Sequence, residues 1–389
     1  MPTDQRTMAQ DLGEVNRVLG RVRGTRPGPT LLAVAGMHGN EPAGILGLRR
    51  VLQALEGREA SVCGEFVALA GNRRALLQGR RFLVRDLNRA WTPERFRENQ
   101  DEASGTSAED AEQTELQDAV DEVIAGARGP LFFLDLHTTS GPGKPFSTVM
   151  DSLASRRFAQ SIPVPLVVGL GELVEGTLLG HLTDRGIPGV VFEGGQHTDE
   201  DSVETSAAGV WASLSGAGVL QESATPEVGR SRKLLLSETL GLPPVFELRY
   251  RHPVTEGDGF RMRPGYQSFQ PVSPGQLLAE DGAGGIEAPE RGRLLMPLYQ
   301  SQGEDGFFLV REFHPFWLNV SEVLRRLKVA RVLHWLPGIR RDPQSPDQLR
   351  VNKRLARWST MEVLHLLGYR RTVEKESWLV VIKQREPDR

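Results

Sequence analysis

The chain has 389 residues, 39% of them hydrophobic and 25% charged, enough for one large globular domain and at least one smaller one. Its 47 basic residues against 50 acidic ones leave a formal net charge of −3, so charge gives no case for nucleic acid or a membrane as partner, and no run approaches the ~20 apolar residues of a membrane span. The lone cysteine, Cys63, excludes a disulfide framework and a cysteine zinc site, and "MPTDQRTMAQDLGEV" has no apolar leader core, so the expected setting is cytoplasmic, with any metal held by histidines and carboxylates.

From about residue 28 to 225, short apolar runs alternate with longer amphipathic ones. "TLLAVAG", "GEFVALAG", "PLFFLDLH", "VPLVVGL" and "PGVVFEGG" have the composition of strands, and the spacing predicts helices over 41–56, 110–126 and 202–220. In the second helix Leu116, Val120, Val123 and Ile124 share one face. The acidic stretch 97–115 is expected to be a loop before it. This alternation predicts an α/β domain over 1–230, with a mainly parallel or mixed sheet flanked by helices and loops of function past the C-terminal strand ends. Residues 231–315 carry turn signals every few positions ("EGDG", "RPGYQ", "SPGQ", "EDGAGG") and predict a small all-β barrel domain. Residues 316–389 form an α+β extension, with helices expected over 319–328 and 347–367 and a closing hairpin in "YRRTVEKESWLVVIKQRE".

Three strand ends carry groups suited to metal chemistry. "AGMHGNEPAG" sets His38 and Glu41 on a glycine-rich turn between a strand and a helix. His137 closes "LFFLDLH" and supplies a third donor, and two imidazoles with one carboxylate form the ligand set of a catalytic zinc that keeps one position open. Asp135 shares a strand face with His137, as a second-layer partner or as a carboxylate bound to backbone amides. Glu193, after the apolar "GVVF", is either a general base for a zinc-bound water or a structural carboxylate paired with an arginine. Residues 72–91 hold six arginines. Arg73, Arg74 and Arg80 suit a solvated face, whereas Arg81 is placed to stabilise an oxyanion. Asn88 and Arg89, beside apolar Leu87, Ala90 and Trp91, suit recognition of a carboxylate. His197, four residues after Glu193, either lines the pocket or is a solvated loop histidine, and the second is the expectation.

Together His38-x-x-Glu41, Arg81, Asp86-Leu87-Asn88-Arg89, Asp135-Leu136-His137 and Glu193-Gly194-Gly195 resemble, in this order, the succinylglutamate desuccinylase/aspartoacylase family of zinc carboxypeptidase-like hydrolases. The resemblance covers roughly residues 28–225. It implies that His38, Glu41 and His137 bind zinc and that Glu193 activates water. It also implies that Arg81 steadies the oxyanion while Asn88 and Arg89 grip a substrate carboxylate. The expected activity is hydrolysis of the amide of a small N-acyl amino acid. The alternatives are a carboxypeptidase acting on a short or cell-wall-type peptide and, in another class, a non-enzymatic ligand-binding or regulatory protein. Arg185 matches a further substrate-binding arginine of the family only loosely, and Tyr250, Tyr266 and Tyr299 do not align with the tyrosine that the family uses. The β-rich segment also resembles biotinyl/lipoyl domains, but no lysine occurs between Lys233 and Lys328 to carry a prosthetic group. It is expected to be a wall or lid of the site. The extension suits a partner-binding or dimerisation module, so a homo-oligomer is among the expected assemblies.

Overall fold

The structure is a computed structural model that describes residues 12–100, 107–335, 338–342, 345–352, 363–375 and 378–383. Its first strands are β1 (Val18–Arg23), β2 (Arg26–Ala35), β3 (Cys63–Ala70), β4 (Leu131–Thr139), β5 (Phe146–Thr148), β6 (Leu166–Val168) and β7 (Gly189–Gln196). A second series follows: β8 (Val245–Pro253), β9 (Arg261–Met262), β10 (Pro271–Val272), β11 (Leu277–Asp281), β12 (Gly284–Glu287), β13 (Gly292–Leu295) and β14 (Asp305–Glu312). An eleven-stranded sheet takes the order β1-β3-β2-β4-β7-β5-β6-β8-β14-β13-β10.

The centre of this sheet is parallel, from β3 through β2 and β4 to β7. Both faces of these strands are covered, which is why their sequences lack polar alternation. In β2, Leu31, Ala33 and Ala35 enter one core cluster while Leu32 and Val34 enter the other. Helices α1 (Pro42–Leu55), α2 (Arg73–Gln78), α3 (Pro93–Gln100), α4 (Ala108–Gly126), α5 (Leu153–Gln160), α6 (Leu178–Asp184), α7 (Asp201–Gly216) and α8 (Pro226–Glu238) accompany the sheet. α1 and α7 pack on the first face, through Ile45, Leu48, Ala208 and Leu214. α4 and α6 cover the second, through Leu116, Val120, Leu178 and Leu182. The chain runs from β2 to β3 on one side and returns to β4 on the other. The C-terminal ends of β2 and β4 therefore border the point where strand order reverses, where open α/β sheets bind ligands.

The mixed, mainly parallel sheet and the antiparallel character of the later segment agree with the expected fold class. Within that segment β8, β14, β13 and β10 continue the main sheet, and β9, β11 and β12 form a three-stranded sheet. The last part holds α9 (Pro315–Arg326) and strands β15 (Ile339–Asp342), β16 (Ser345–Asn352), β17 (Tyr369–Lys375) and β18 (Trp378–Lys383), in the order β15-β16-β18-β17. β17 and β18 pair antiparallel, as the closing hairpin requires.

Two expectations are corrected. The stretch 97–115 is not one loop: α3 and α4 occupy most of it, and 101–106 lie outside the described residues. α4 starts at a capping box between Ser107 and Asp110, a signal that the acidic composition hid. The helix expected over 347–367 begins as β16, whose Leu349 and Val351 are buried two residues apart. Its middle, 353–362, also lies outside the described residues.

Candidate active site

His38 and Glu41 stand where β2 hands over to α1. Gly36 turns the chain at φ +71°, a conformation that side chains rarely adopt. Gly39 lies so close to α2 that a Cβ would sit 2.1 Å from the Ala75 carbonyl carbon, and its N–H donates to the Arg81 carbonyl over 3.0 Å. This contact brings Arg81 to the turn that carries His38 and Glu41. Parallel pairing sets His137 of β4 beside Glu193 of β7, on the sheet face that also carries Asp135.

The two imidazoles converge on one carboxylate. His38 Nδ1 lies 2.7 Å from Glu41 Oε1, and His137 Nδ1 lies 3.1 Å from Glu41 Oε2. Their Nε2 atoms face carboxylates as well, at 3.1 Å from Asp86 Oδ1 and 3.2 Å from Asp135 Oδ2. One donor atom from each of His38, Glu41 and His137 falls within 4.8 Å of the other two, and all three residues are buried. Carboxylates behind both rings are the usual outer support of metal-bound histidine.

Charge balance points the same way. Glu41, Asp86, Asp135 and Glu193 crowd this space, and Arg81 is the guanidinium among them, 2.9 Å from Asp86 Oδ2 and 3.8 Å from Glu41 Oε1. Burial works against ionisation of Glu41 and Asp86, but the neighbouring histidines, joined at Asp86 by Arg81, overcome it and hold both well below the usual carboxylate range. At His137 burial is likewise outweighed, by Asp135 and Glu41, and its pKa rises well above the imidazole value. Glu193 goes the other way. Burial, reinforced by Glu41 and Asp135 against the opposing pull of His137 and Arg81, pushes its carboxyl up to about 8, and its Oε2 has no hydrogen-bond partner. A donor set of two imidazoles and a carboxylate, short of positive charge and backed by further carboxylates, fits a zinc ion.

His38, Glu41, Arg81, Asn88, Arg89, His137 and Glu193 all line one cavity. Asp86 caps the turn Leu87–Arg89 by accepting from the Asn88 N–H, and the buried Glu109 carboxylate accepts from the Leu83 and Val84 N–H groups. Asn88 is partly committed: its Oδ1 accepts from the Leu178 N–H at the start of α6, and its Nδ2 lies 3.4 Å from His137 Nε2. Arg89 reaches the far wall, with Nη2 3.4 Å from Asp305 Oδ2 and Nε 3.5 Å from Glu304 Oε2. Arg185 lies elsewhere, 2.7 Å from Asp121 at the end of α6, and no tyrosine among the described residues lines the cavity.

The far wall comes from residues 296–308, which contribute Met296, Leu298, Gln300, Gly303, Glu304, Asp305 and Phe308. Ser140, three residues after His137, ties it down: its hydroxyl donates to the Pro297 carbonyl and accepts from the Tyr299 N–H. His197 corrects the expectation of a solvated histidine. It is buried in the cavity wall, with Nδ1 2.7 Å from Thr138 Oγ1 and Nε2 3.2 Å from Gln300 Oε1, and burial drives its pKa down to about 4. Gln300 also accepts from Asn40 Nδ2 at 2.7 Å. Sequence spacing carried no signal for Gln300, Glu304 or Asp305, more than 100 residues beyond Glu193. For Asp86 a signal existed, since it belongs to the motif set, but its contact with His38 needed the fold.

Residues 27–200 match the model of the succinylglutamate desuccinylase/aspartoacylase catalytic domain. A curated succinylglutamate desuccinylase of Pseudomonas paraeruginosa is 33% identical over 111 residues, a stretch that makes up 28% of this chain and 31% of that protein. Among solved structures, a succinylglutamate desuccinylase/aspartoacylase from Rhodobacter sphaeroides aligns with a TM-score of 0.55 at 19% identity, covering 76% of this chain and 88% of its own. The ectoine utilization protein EutE (DoeB) from Ruegeria pomeroyi aligns with a TM-score of 0.51 at 20% identity, covering 74% and 86%. At these identities the structural likeness speaks for the fold. Residues 27–200 are thus similar to the catalytic domain of the succinylglutamate desuccinylase/aspartoacylase family.

Proposed function

We propose that the chain is a zinc-dependent hydrolase that cleaves the amide bond of a small N-acyl amino acid, releasing a carboxylic acid and an amine. The observation that carries this reading is Glu193, a buried carboxylate with one unpartnered oxygen on the wall of the cavity that holds His38, Glu41 and His137. A protein that only bound ligands would gain nothing from so costly a group, whereas a general base must keep a lone pair free for a proton.

In this reading His38, Glu41 and His137 hold the ion, and Asp86 and Asp135 orient the two imidazoles. Zinc there would polarise the scissile carbonyl and lower the pKa of water toward ~7. The positive charge of a bound ion would bring the Glu193 carboxyl back down from about 8, and the ionised Glu193 takes a proton from the attacking water and hands it to the departing nitrogen. The hydroxyl ends on the acyl carbon and the hydrogen on the amine, so atoms balance. Arg81, already oriented by Asp86, steadies negative charge on the carbonyl oxygen. Arg89 and the Asn88 amide nitrogen hold the free carboxylate of the substrate.

The test is a screen of zinc-loaded protein against N-acyl amino acids and short peptides, following amine release. Hydrolysis of N-acyl amino acids, abolished by a chelator, is the expected result. Hydrolysis confined to peptides would move the assignment to a metallocarboxypeptidase, and turnover of neither would overturn it.

A further inference from the structure

The acidic residues of the far wall bear on which amino acid leaves. Asp305 opens β14, and its neighbours are pinned: the Val254 N–H donates to the Glu304 carbonyl over 2.8 Å, and the Leu298 N–H to the Gly306 carbonyl over 2.9 Å. Its side chain is 15% exposed, with Oδ1 accepting from Arg251 Nε at 2.5 Å and Oδ2 3.4 Å from Arg89 Nη2. Glu304 approaches the same guanidinium from a position 61% exposed.

Among the described residues two guanidiniums line the cavity, and Arg81 is engaged with Asp86. Arg89 is therefore the cation left for substrate, and the protein already sets two carboxylates against it. A contact of 3.4 Å is looser than the ~2.7–2.9 Å of a full charge-assisted hydrogen bond. A guanidinium has five N–H donors, so Arg89 can take one further carboxylate. A second substrate carboxylate would find Arg89 shared three ways and face Asp305 and Glu304 in a space partly shielded from water, where like charges repel. Leu170, Val174, Leu179, Leu298 and Phe308 line the same cavity and offer apolar surface to a neutral side chain.

We propose that Asp305, assisted by Glu304, is a specificity determinant that admits leaving amino acids with one carboxylate and turns away those with two. The inference rests on the reading of Arg89 as the substrate-carboxylate clamp. It identifies the substrate class as N-acyl derivatives of neutral, preferably apolar, amino acids.

The experiment compares kcat/KM of the zinc-loaded full chain for N-acetyl and N-succinyl derivatives of methionine and leucine with those of glutamate and aspartate. The wild type is expected to favour the monocarboxylates by about 10-fold or more. Asp305→Asn should cut that ratio by about 10-fold. Glu304→Gln, at an exposed and screened position, should cut it by about 2-fold, an effect that weakens in salt. Should Asp305→Asn fail to fold because Arg251 loses its partner, Glu304→Lys carries the test, and it should move the ratio toward unity by about 3-fold or more. Equal or better turnover of the dicarboxylates by the wild type overturns the inference alone, as does an unchanged ratio in the folded variants. Amine release from no N-acyl amino acid defeats the deacylase reading and this inference with it.

Discussion

The two sides of the candidate site's cavity are built by opposite means. On one side His38 and Glu41 stand on the tight turn that follows β2, and His137 and Glu193 face each other across the paired strands β4 and β7 in the middle of the sheet. On the other, Leu298 to Glu304 arrive on the connection between β13 and β14 and Asp305 opens β14, held by side-chain and backbone hydrogen bonds such as those of Ser140. The first side suits bond-breaking chemistry, which tolerates little displacement. The second can change its residues without disturbing the sheet, which suits selection among substrates.

If that division is right, changes on the strand-end side should be the most damaging. His137→Ala should reduce zinc from about one per chain to almost none, because two remaining donors do not make a stable tetrahedral site. Metal analysis of purified protein is the check, and full occupancy in the variant would remove His137 from the ligand set. Glu193→Gln should keep its zinc and its fold yet lose turnover by roughly 10²–10⁴-fold, as for removal of a general base. Wild-type activity in this variant would mean that another group takes the proton.

Changes at the clamp between the two sides should act on selection. Converting the substrate's free carboxylate to a methyl ester should lower wild-type kcat/KM by about 10²-fold, since each lost charge-assisted contact is worth about 1.5–3 kcal/mol. In Arg89→Ala the acid and the ester should become nearly equal, with Arg89→Lys in between because an ammonium lacks the planar fork. A wild type indifferent to the ester would make Arg89 structural.

The extension beyond 315 tests whether a third region stands apart from both. Arg325 of α9 is buried against Asp151, with Nη2 2.8 Å from Oδ2 and Nη1 2.6 Å from the Asp151 carbonyl, and Leu318 belongs to the main core. Asp151 in turn donates its N–H to Glu172, beside Gly171 of the cavity wall. Arg325→Met should destabilise the protein by about 3 kcal/mol, near the lower end for a broken buried ion pair because Arg156 stays with Asp151. A melting temperature equal to that of the wild type would show that the extension is merely appended.

The smallest effect concerns His197. Its folded pKa, about 4, lies below the unfolded value of 6.5, so the folded state binds fewer protons. The stability that this neutral side chain contributes is complete above pH 6.5 and is lost as pH falls toward 4. Roughly 2 kcal/mol should go between pH 7 and pH 5. His197→Gln should flatten that part of the stability curve. An unaltered slope would mean that His197 titrates as it does in the unfolded chain.

The His38–Glu41 turn and the central strands were legible because local chemistry fixes them. A strand buried on both faces must be apolar throughout, and a glycine-rich turn at its end announces a side chain put to use. Sequence alone therefore determined the α/β class, the order of the central strands and helices, and the grouping of His38, Glu41, His137 and Glu193 at strand ends. Contacts between distant segments were decided only by tertiary structure. β16 looked helical because Leu349 and Val351 reveal their two-residue period only with a partner strand beside them. His197 looked solvated because the residues that bury it include Gln300, 103 positions away. Asp305 carried no signal of its own in the sequence, and only the fold set it 3.4 Å from Arg89, 216 positions earlier. Periodicity and turn chemistry act over a few residues and leave a local mark in the sequence. An ion pair between distant segments leaves none, since its two charges become neighbours only when the sheet closes.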